Sequence, residues 1–163
     1  MFGNSISLSS DGQIVALGTS KRDYHSLTNN GLVHVYNCSS TKKNWLWMTH
    51  LLGGTSTHDD FGGSVSVSSD DMTVAAGGYQ YHNSGNGYVH VYVHNPTTDG
   101  WDQLGSTIVG VAKGDLFGLS VPLSEDGRTI AVGAPRNGDN GGEFGSSGHV
   151  RMFKYSSATR TWD

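Results

Sequence analysis

The sequence predicts an all-β fold made of three repeated units. A phrase that begins with Phe-Gly occurs three times in the 163 residues, at Phe2, Phe61 and Phe117, and each copy reaches a glycine 16 residues after its phenylalanine. Between the copies, short apolar runs alternate with turns rich in Gly, Ser, Asn and Asp, a pattern typical of many strands joined by many turns. Four short strands in a repeat of about 55 residues are the signature of a β-propeller blade.

The phenylalanines are spaced by 59 and then 56 residues, which divides this single propeller segment into units at 1–60, 61–116 and 117–163. The third unit stops where the earlier two enter a fourth strand, so we expect three four-stranded antiparallel repeats of which the last is incomplete. Propellers close with about 4 to 8 blades, because an open arc leaves apolar faces and an unpaired edge in water. The sequence therefore indicates part of a larger ring, closed by the remainder of the same propeller or by other subunits.

The first two strands of every unit form a predicted hairpin. The first strand alternates apolar residues with serines, and a period of two is that of a strand. An acidic turn follows, and Asp-Gly between apolar runs is a strong hairpin signal. The alternating apolar pairs are Ile6 and Leu8, Val65 and Val67, and Val121 and Leu123, and the second strands read QIVALG, MTVAAG and RTIAVG.

The third strand of each unit begins with a glycine, and a polar linker then leads to a tryptophan. His34 and His90 occupy the same place in the first two units and Arg151 takes it in the third, so we interpret them as packing residues of the blade rather than as ligands. A fourth apolar segment follows in the first two units. The third strands read GLVHVY, GYVHVY and GHVRMF, the tryptophans are Trp45, Trp101 and Trp162, and the fourth segments read WLWMTHLLG and WDQLGSTIVG.

These units resemble the FG-GAP repeat of integrin α-type β-propellers. The resemblance is clearest in the third unit, at Phe117-Gly118-Leu119-Ser120 and Ala131-Val132-Gly133-Ala134-Pro135, and it extends over essentially the whole chain. A kelch repeat is the alternative, because the middle unit also has Gly77-Gly78 followed by Tyr92 and Trp101. Either repeat builds a propeller. The FG-GAP resemblance implies protein binding or cell adhesion in an extracellular, cell-surface or lumenal setting.

Neither a metal ion nor a cofactor is expected. Integrin-type repeats often hold calcium in an Asp-rich loop between the first two strands, and this sequence resembles a variant without that loop. Its turns are too short to wrap a cation that takes six to eight oxygen ligands, so we interpret their acidic residues as turn supports. Asp139 and Glu143, in a glycine-rich loop, are the alternative metal candidates. The acidic turn residues are Asp11, Asp70, Asp71, Glu125 and Asp126.

Charge and hydropathy argue against nucleic acid and against a membrane span. The net charge is −4 and the ten Lys and Arg are scattered, which gives no basic footprint for a phosphate backbone. No apolar run approaches the roughly 18 residues of a spanning helix, and the first residues lack the basic and apolar regions of an export signal. The triplet Asn37-Cys38-Ser39 fits the N-glycosylation pattern, so Asn37 is a candidate acceptor.

Catalysis is not expected from these residues. The serines lie mostly on predicted strands, and the sequence has neither a GxSxG nor an HExxH pattern. Asp59 and Asp115 precede Phe-Gly at matching positions, which indicates a blade-to-blade turn rather than an acid/base pair. The alternative is a polysaccharide-active propeller enzyme whose site is completed by blades outside this chain.

The loops between the second and third strands form the predicted binding surface. They have 12, 9 and 14 residues, whereas the segment from Phe to Gly keeps one length. Antiparallel strands place these loops on one face with the blade connections THDD and AKGDL, and loops on a rigid scaffold concentrate binding residues. We expect a non-catalytic binding or scaffolding module that presents this face to a protein or glycan. The alternative is a structural subunit that packs its blades inside a larger assembly. The candidate contact residues are Arg22, Tyr24, His25, Tyr79, Tyr81, His82, Arg136, Asp139, Glu143 and Phe144.

Overall fold

The computed structural model describes residues 2–39, 44–51, 53–70, 72–82, 85–138 and 147–163. Within those ranges the regular structure is entirely β-strand, and no helical segment capable of spanning a membrane occurs there. The strands are β1 Ser5–Leu8, β2 Ile14–Gly18, β3 Val33–Ser39, β4 Asn44–Leu51, β5 Phe61–Val67, β6 Thr73–Gly78, β7 Tyr88–Asn95, β8 Gly100–Gln103, β9 Ile108–Val109, β10 Thr129–Ala134, β11 His149–Ser156 and β12 Thr161–Trp162.

The strands form three consecutive antiparallel sheets, which are the blades. The first blade has the order β1-β2-β3-β4 and the second has the order β5-β6-β7-β8, with β9 also pairing with β7. The third has the order β10-β11-β12. Apart from the β7–β9 pair, neighbouring strands in each sheet are adjacent in sequence, as in hairpins, and the sheets do not close on themselves. The prediction of an all-β fold of propeller blades is confirmed.

The third blade departs from the prediction at its first strand. Ser120 and Leu123 form isolated bridges with Gly133 and Ile130 instead of a continuous ladder. Pro122 lies between the two bridges, and a proline has no N–H to donate to a neighbouring strand. The described part of this blade therefore has three strands, and the prediction of a regular first strand is corrected to two isolated bridges.

Two apolar cores lie between the blades. The second blade is buried on both faces by its two neighbours, and the first and third blades each bury one face against it. This burial of apolar surface is the main source of stability for such an arc. The core between the first and second blades contains Ile14, Ala16, Val33, Val35, Phe61, Val74, Ala76, Tyr88 and Tyr92. The core between the second and third contains Ala75, Val89, Val91, Ile108, Phe117, Val121, Ile130, Val132, Ala134, Phe153 and Trp162.

Each internal Phe-Gly segment lies against two glycines of the preceding blade. Phe61 forms a parallel bridge with Gly31, and Phe117 forms the same bridge with Gly87. A Cβ atom on Gly31 would lie 2.1 Å from the carbonyl oxygen of Phe61, a distance that real Cβ atoms do not reach. The repeated glycines are therefore required by the close approach of the next blade's backbone.

The serines of the first strands join each blade to the next. Ser5 Oγ donates to the carbonyl oxygen of Gly62 at 2.8 Å, and Ser64 Oγ donates to that of Gly118 at 2.6 Å. The backbone N–H of Val67 donates to Ser7 Oγ at 3.0 Å. Along the first strands, the serines therefore form hydrogen bonds to the next blade, and the apolar residues that alternate with them are left for packing.

Three of the acidic turn residues support tight turns, as the sequence predicts, and Asp71 lies outside the described residues. Asp11 Oδ1 accepts hydrogen bonds from Ser9 Oγ at 2.9 Å and from the backbone N–H of Gln13 at 2.8 Å. Asp70 and Asp126 repeat both contacts in their own turns. Across the described ranges, no three His, Cys, Asp or Glu side chains are grouped so that they could hold a metal ion.

The recurring position on the third strand packs against the phenylalanine of its own unit. The ring centroids of Phe2 and His34 are 5.3 Å apart, and those of Phe61 and His90 are 5.7 Å apart. In the third unit the guanidinium of Arg151 lies 5.7 Å from the centroid of the Phe117 ring. Packing within the blade therefore explains why His, His and Arg recur at this position.

Candidate functional site

The loops between the second and third strands share one face with the blade connections. We call this surface the loop face; its described parts are 19–32, 53–60, 79–82, 85–87, 110–116 and 135–138. Backbone hydrogen bonds fasten loop to connection: His58 N donates to Thr28 O at 2.8 Å, and Gly114 N donates to Gly85 O at 3.1 Å. The structure therefore brings together the two sets of segments that the strand order predicts.

A buried asparagine holds the first loop in place. Asn30 Nδ2 donates to the carbonyl oxygen of Gly54 at 2.8 Å, and its Oδ1 accepts from the backbone N–H of Tyr24 at 2.9 Å. Asn86 repeats the first contact in the second loop, where its Nδ2 donates to Gly110 O at 3.0 Å. Because both loops are fixed by side-chain contacts to the connection, the loop face is a preorganised surface.

Asp59 is the main polar anchor of the connection between the first two blades. Its Oδ2 accepts from the backbone N–H groups of Thr55 at 2.7 Å and Ser56 at 2.8 Å. Its Oδ1 accepts from Gln80 Nε2 at 2.7 Å. The phenol of Tyr88 also donates to Oδ2, and burial, followed by the charge of Asp59, raises the pKa of Tyr88. These contacts agree with the interpretation of Asp59 as a turn residue.

Asp60 is a buried carboxyl that the sequence analysis did not single out. It is closed to solvent, and neither of its carboxyl oxygens has a hydrogen-bond partner among the described residues. Burial raises its pKa, against the opposing charges of Lys21, His82 and His58. The matching position in the next unit is Leu116, which has the same positive φ. Comparison of these two positions in the sequence is the signal that marks Asp60 as unusual.

The predicted binding residues of the second and third loops are in contact. The guanidinium carbon of Arg136 lies 4.8 Å from the centroid of the exposed Tyr81 ring, within the range of a cation–π interaction. The ring of His82 lies 4.9 Å from that of Tyr81. Tyr79 is half-buried, and burial followed by the charge of Asp60 raises its pKa. Two loops thus contribute to one exposed aromatic and cationic surface.

Lys21, which the sequence analysis missed, connects the first loop to this surface. Its Nζ lies 3.4 Å from Nε2 of His82, whose ring is 5.6 Å from that of His58. Arg22 and His25 are exposed on the same loop, and the ring of His25 is 4.0 Å from that of half-buried Tyr24. Lys21 was missed because its neighbour in the folded chain, His82, lies 61 residues away in sequence.

Of the four remaining candidates, three lie outside the described residues and one lies on a strand. Asp139, Glu143 and Phe144, together with the metal site suggested for the first two, lie outside the described residues. Asn37 lies within β3, half-buried and paired with Leu46, and its glycosylation stays a prediction.

Comparison with known proteins relates the chain to a repeat family and to a fold. Residues 109–148 match the family model described as the FG-GAP repeat. The curated proteins contain no match to the chain. The matched segment runs from the end of the second unit to the third-strand glycine of the third, and includes the Phe-Gly and Gly-Ala-Pro residues quoted above.

Solved structures with the same fold cover nearly the whole chain. The periplasmic gluconolactonase of Pseudomonas aeruginosa has a TM-score of 0.64 at 12% identity, over 99% of this chain and 42% of that one. A putative 6-phosphogluconolactonase from Bacteroides uniformis has a TM-score of 0.63 at 11% identity, over 97% of this chain and 37% of that one. Sqt1 of Saccharomyces cerevisiae has a TM-score of 0.57 at 16% identity, over 98% of this chain and 32% of that one. The chain spans less than half the length of each, and at these identities the likeness shows the fold alone.

Proposed function

We propose that this set of propeller blades with an FG-GAP repeat is a non-catalytic binding module whose loop face recognises a protein or glycan partner. As the resemblance to integrin-type repeats implies, we propose an extracellular, cell-surface or lumenal setting and a role such as cell adhesion. Three of the structural neighbours carry lactonase names, but their identities of 11% to 12% support a shared fold and no shared chemistry.

The contact between Tyr81 and Arg136 is the observation that carries this proposal. Tyr and Arg are enriched at the centres of protein interfaces, where a rigid aromatic ring and a planar guanidinium give contact area and directed hydrogen bonds. Here the two side chains come from different loops and lie together on the outside of the molecule. A flat aromatic ring of this kind also suits the apolar face of a sugar, so the same surface fits a glycan.

The scaffold below these side chains favours recognition over catalysis. Asp59 is buried and accepts hydrogen bonds from the connection, the second loop and Tyr88 of β7, and Asp60 is closed to solvent. A hydrolytic acid/base pair needs carboxyl groups that a substrate can reach. A preformed surface binds its partner without a large change of shape and so loses little conformational entropy on binding.

The test is a binding screen of the folded chain against a glycan array and a panel of extracellular protein domains. Tyr81→Ala and Arg136→Ala should each weaken the selected interaction by roughly tenfold or more, as expected for central interface residues. Glu125→Ala and Arg160→Asn are matched controls, because both positions are exposed in turns at the opposite end of the blades. No binder in either collection, or a binder that the controls weaken as much as the loop-face variants do, would contradict the proposal.

A further inference from the structure

The second and third blades show what a Phe-Gly segment needs from the blade before it. Two glycines of the second blade, Gly77 and Gly87, receive the backbone of the third blade's segment. A Cβ on Gly77 would lie 2.0 Å from the carbonyl oxygen of Gly118, and one on Gly87 would lie 2.1 Å from that of Phe117. We call such a glycine pair a Phe-Gly socket. Gly18 and Gly31 form the same socket for the second blade.

The third blade has both glycines of such a socket, and in the described part of the chain no Phe-Gly segment lies against them. Gly133 and Gly148 occupy the two glycine positions, and a Cβ on Gly133 would meet no atom nearer than 3.4 Å, which is ordinary contact with Ser120 of its own blade. Ser120 takes the position at which Ser5 and Ser64 donate to the next blade, and it is exposed. The residues around Gly133 and Gly148 line a groove of about 590 Å³.

The sheet beside this groove is apolar and uncovered. Met152 is 70% exposed, whereas Val91 at the same position of the second blade is 1% exposed in the core between blades. Val150 is likewise exposed, and its counterpart Val89 is buried. The residues on this face are apolar in both blades, but the third blade covers Val89 and Val91, and no described blade lies against Val150 and Met152. The surface therefore has the chemistry of a blade interface.

The opposite end of the arc presents the complementary part. Phe2 is 61% exposed, whereas Phe61 in the next unit is fully buried against its socket. Ile6 and Leu8 are also exposed, although their counterparts in the second blade pack into the core. Among the described residues, Phe2-Gly3 therefore lies against no socket, and the socket of the third blade receives no Phe-Gly segment.

We propose that the groove on the third blade binds the Phe2-Gly3 segment of a second copy of this chain. The contact continues, between two chains, the interface that already joins the first blade to the second and the second to the third. Such an interface is head-to-tail, because the two surfaces differ. Two such segments, with three blades in each, would supply six blades, a number within the range of about 4 to 8 in which propellers close. This proposal does not depend on a partner for the loop face.

The test is sedimentation velocity of the chain over a series of micromolar to millimolar concentrations. The wild type should associate reversibly, and Phe2→Ser and Gly133→Ala should each weaken association by about tenfold or more, as for removal of a central contact. Both variants should stay folded, because Phe2 is exposed and Gly133 has room for a methyl group at an ordinary φ. Circular dichroism and thermal melting check this.

A mixture of the two variants distinguishes a specific head-to-tail contact from nonspecific association. The Phe2→Ser chain keeps an intact socket and the Gly133→Ala chain keeps an intact Phe-Gly segment, so mixing them should restore a dimer that neither forms alone. A wild type that is monomeric throughout the series, or association that both substitutions leave unchanged, would overturn the proposal. Binding of a peptide of residues 2–10 to a chain that stays monomeric would overturn the second copy as the occupant.

Discussion

The phenol of Tyr88, at the start of β7, donates a hydrogen bond of 3.3 Å to Oδ2 of Asp59, in the connection that enters the same blade. Gln80 lies between these two segments, donating from Nε2 to Asp59 and accepting at Oε1 from the backbone N–H of Gly87 at 3.1 Å. One carboxylate therefore organises the connection, the second loop and the third strand of the second blade.

Asp59→Asn should destabilise the protein by about 2 to 4 kcal/mol, because the new amide presents a donor to groups that already donate and leaves several of them unpaired. The measurement is the free energy of unfolding in urea. Asp99→Asn is the matched control: Asp99 is 87% exposed, and its contact with His94 should be worth no more than about 0.5 kcal/mol. Equal losses in the two variants would show that Asp59 is not an anchor.

Asp60→Asn should raise the melting temperature at neutral pH and lose that advantage in acid. Burial raises the pKa of Asp60, so the folded protein binds this proton more tightly than the unfolded chain does. The contribution of the group is therefore most favourable below the unfolded value of 3.8 and declines as the pH rises through the folded pKa. Melting curves of both proteins from pH 3 to pH 8 test this. A variant less stable than wild type at pH 7 would mean that Lys21 and the nearby histidines outweigh the cost of burial.

His90 should make the fold sensitive to moderate acid. Burial lowers its pKa from 6.5 to about 4, against the opposing charge of Asp59, so the folded protein keeps the ring neutral. The unfolded chain takes up this proton first, and stability should fall as the pH drops from 6.5 to about 4. Comparison of the unfolding free energy of wild type and His90→Gln across this interval should show the variant losing the smaller amount. Parallel pH curves would contradict the assignment.

The same substitution should destabilise the protein at one of two equivalent glycines and be tolerated at the other. In Gly77→Ala the new methyl group would lie 2.0 Å from the backbone oxygen of Gly118, so the second and third blades must move apart, at a cost of about 3 kcal/mol or more. At concentrations low enough for the chain to be monomeric, Gly133→Ala should leave the melting temperature unchanged, because its site is open. Thermal melts of the two variants provide the comparison. A tolerated Gly77→Ala would remove the physical basis of the socket.

The repeat predicted the scaffold well because its signals are local. An apolar residue at every second position and an aspartate in a tight turn each determine structure within a few residues of themselves, and the glycines recur at a fixed distance from Phe-Gly. The first strand of the third blade was the exception, since a single proline, Pro122, interrupts a pattern that otherwise alternates correctly. Its effect depends on a missing N–H rather than on the hydropathy of the segment.

The loop face was less accessible to sequence reasoning because its contacts join residues far apart in the chain. Tyr81 and Arg136 are both candidates in the sequence, but their spacing does not predict that the guanidinium of Arg136 lies over the ring of Tyr81. Asp60 was overlooked for another reason: in sequence it is one of two adjacent polar residues, and only the fold shows that Asp59 is satisfied and Asp60 is enclosed.

The sockets precede their segments along the chain, and this order matters while the protein is being made. Gly18 and Gly31 leave the ribosome before Phe61, and Gly77 and Gly87 leave before Phe117. Chains fold from the amino-terminal end as they emerge, so each finished sheet is a template for the segment synthesised next. During synthesis, each sheet is therefore complete before the Phe-Gly segment that it receives leaves the ribosome.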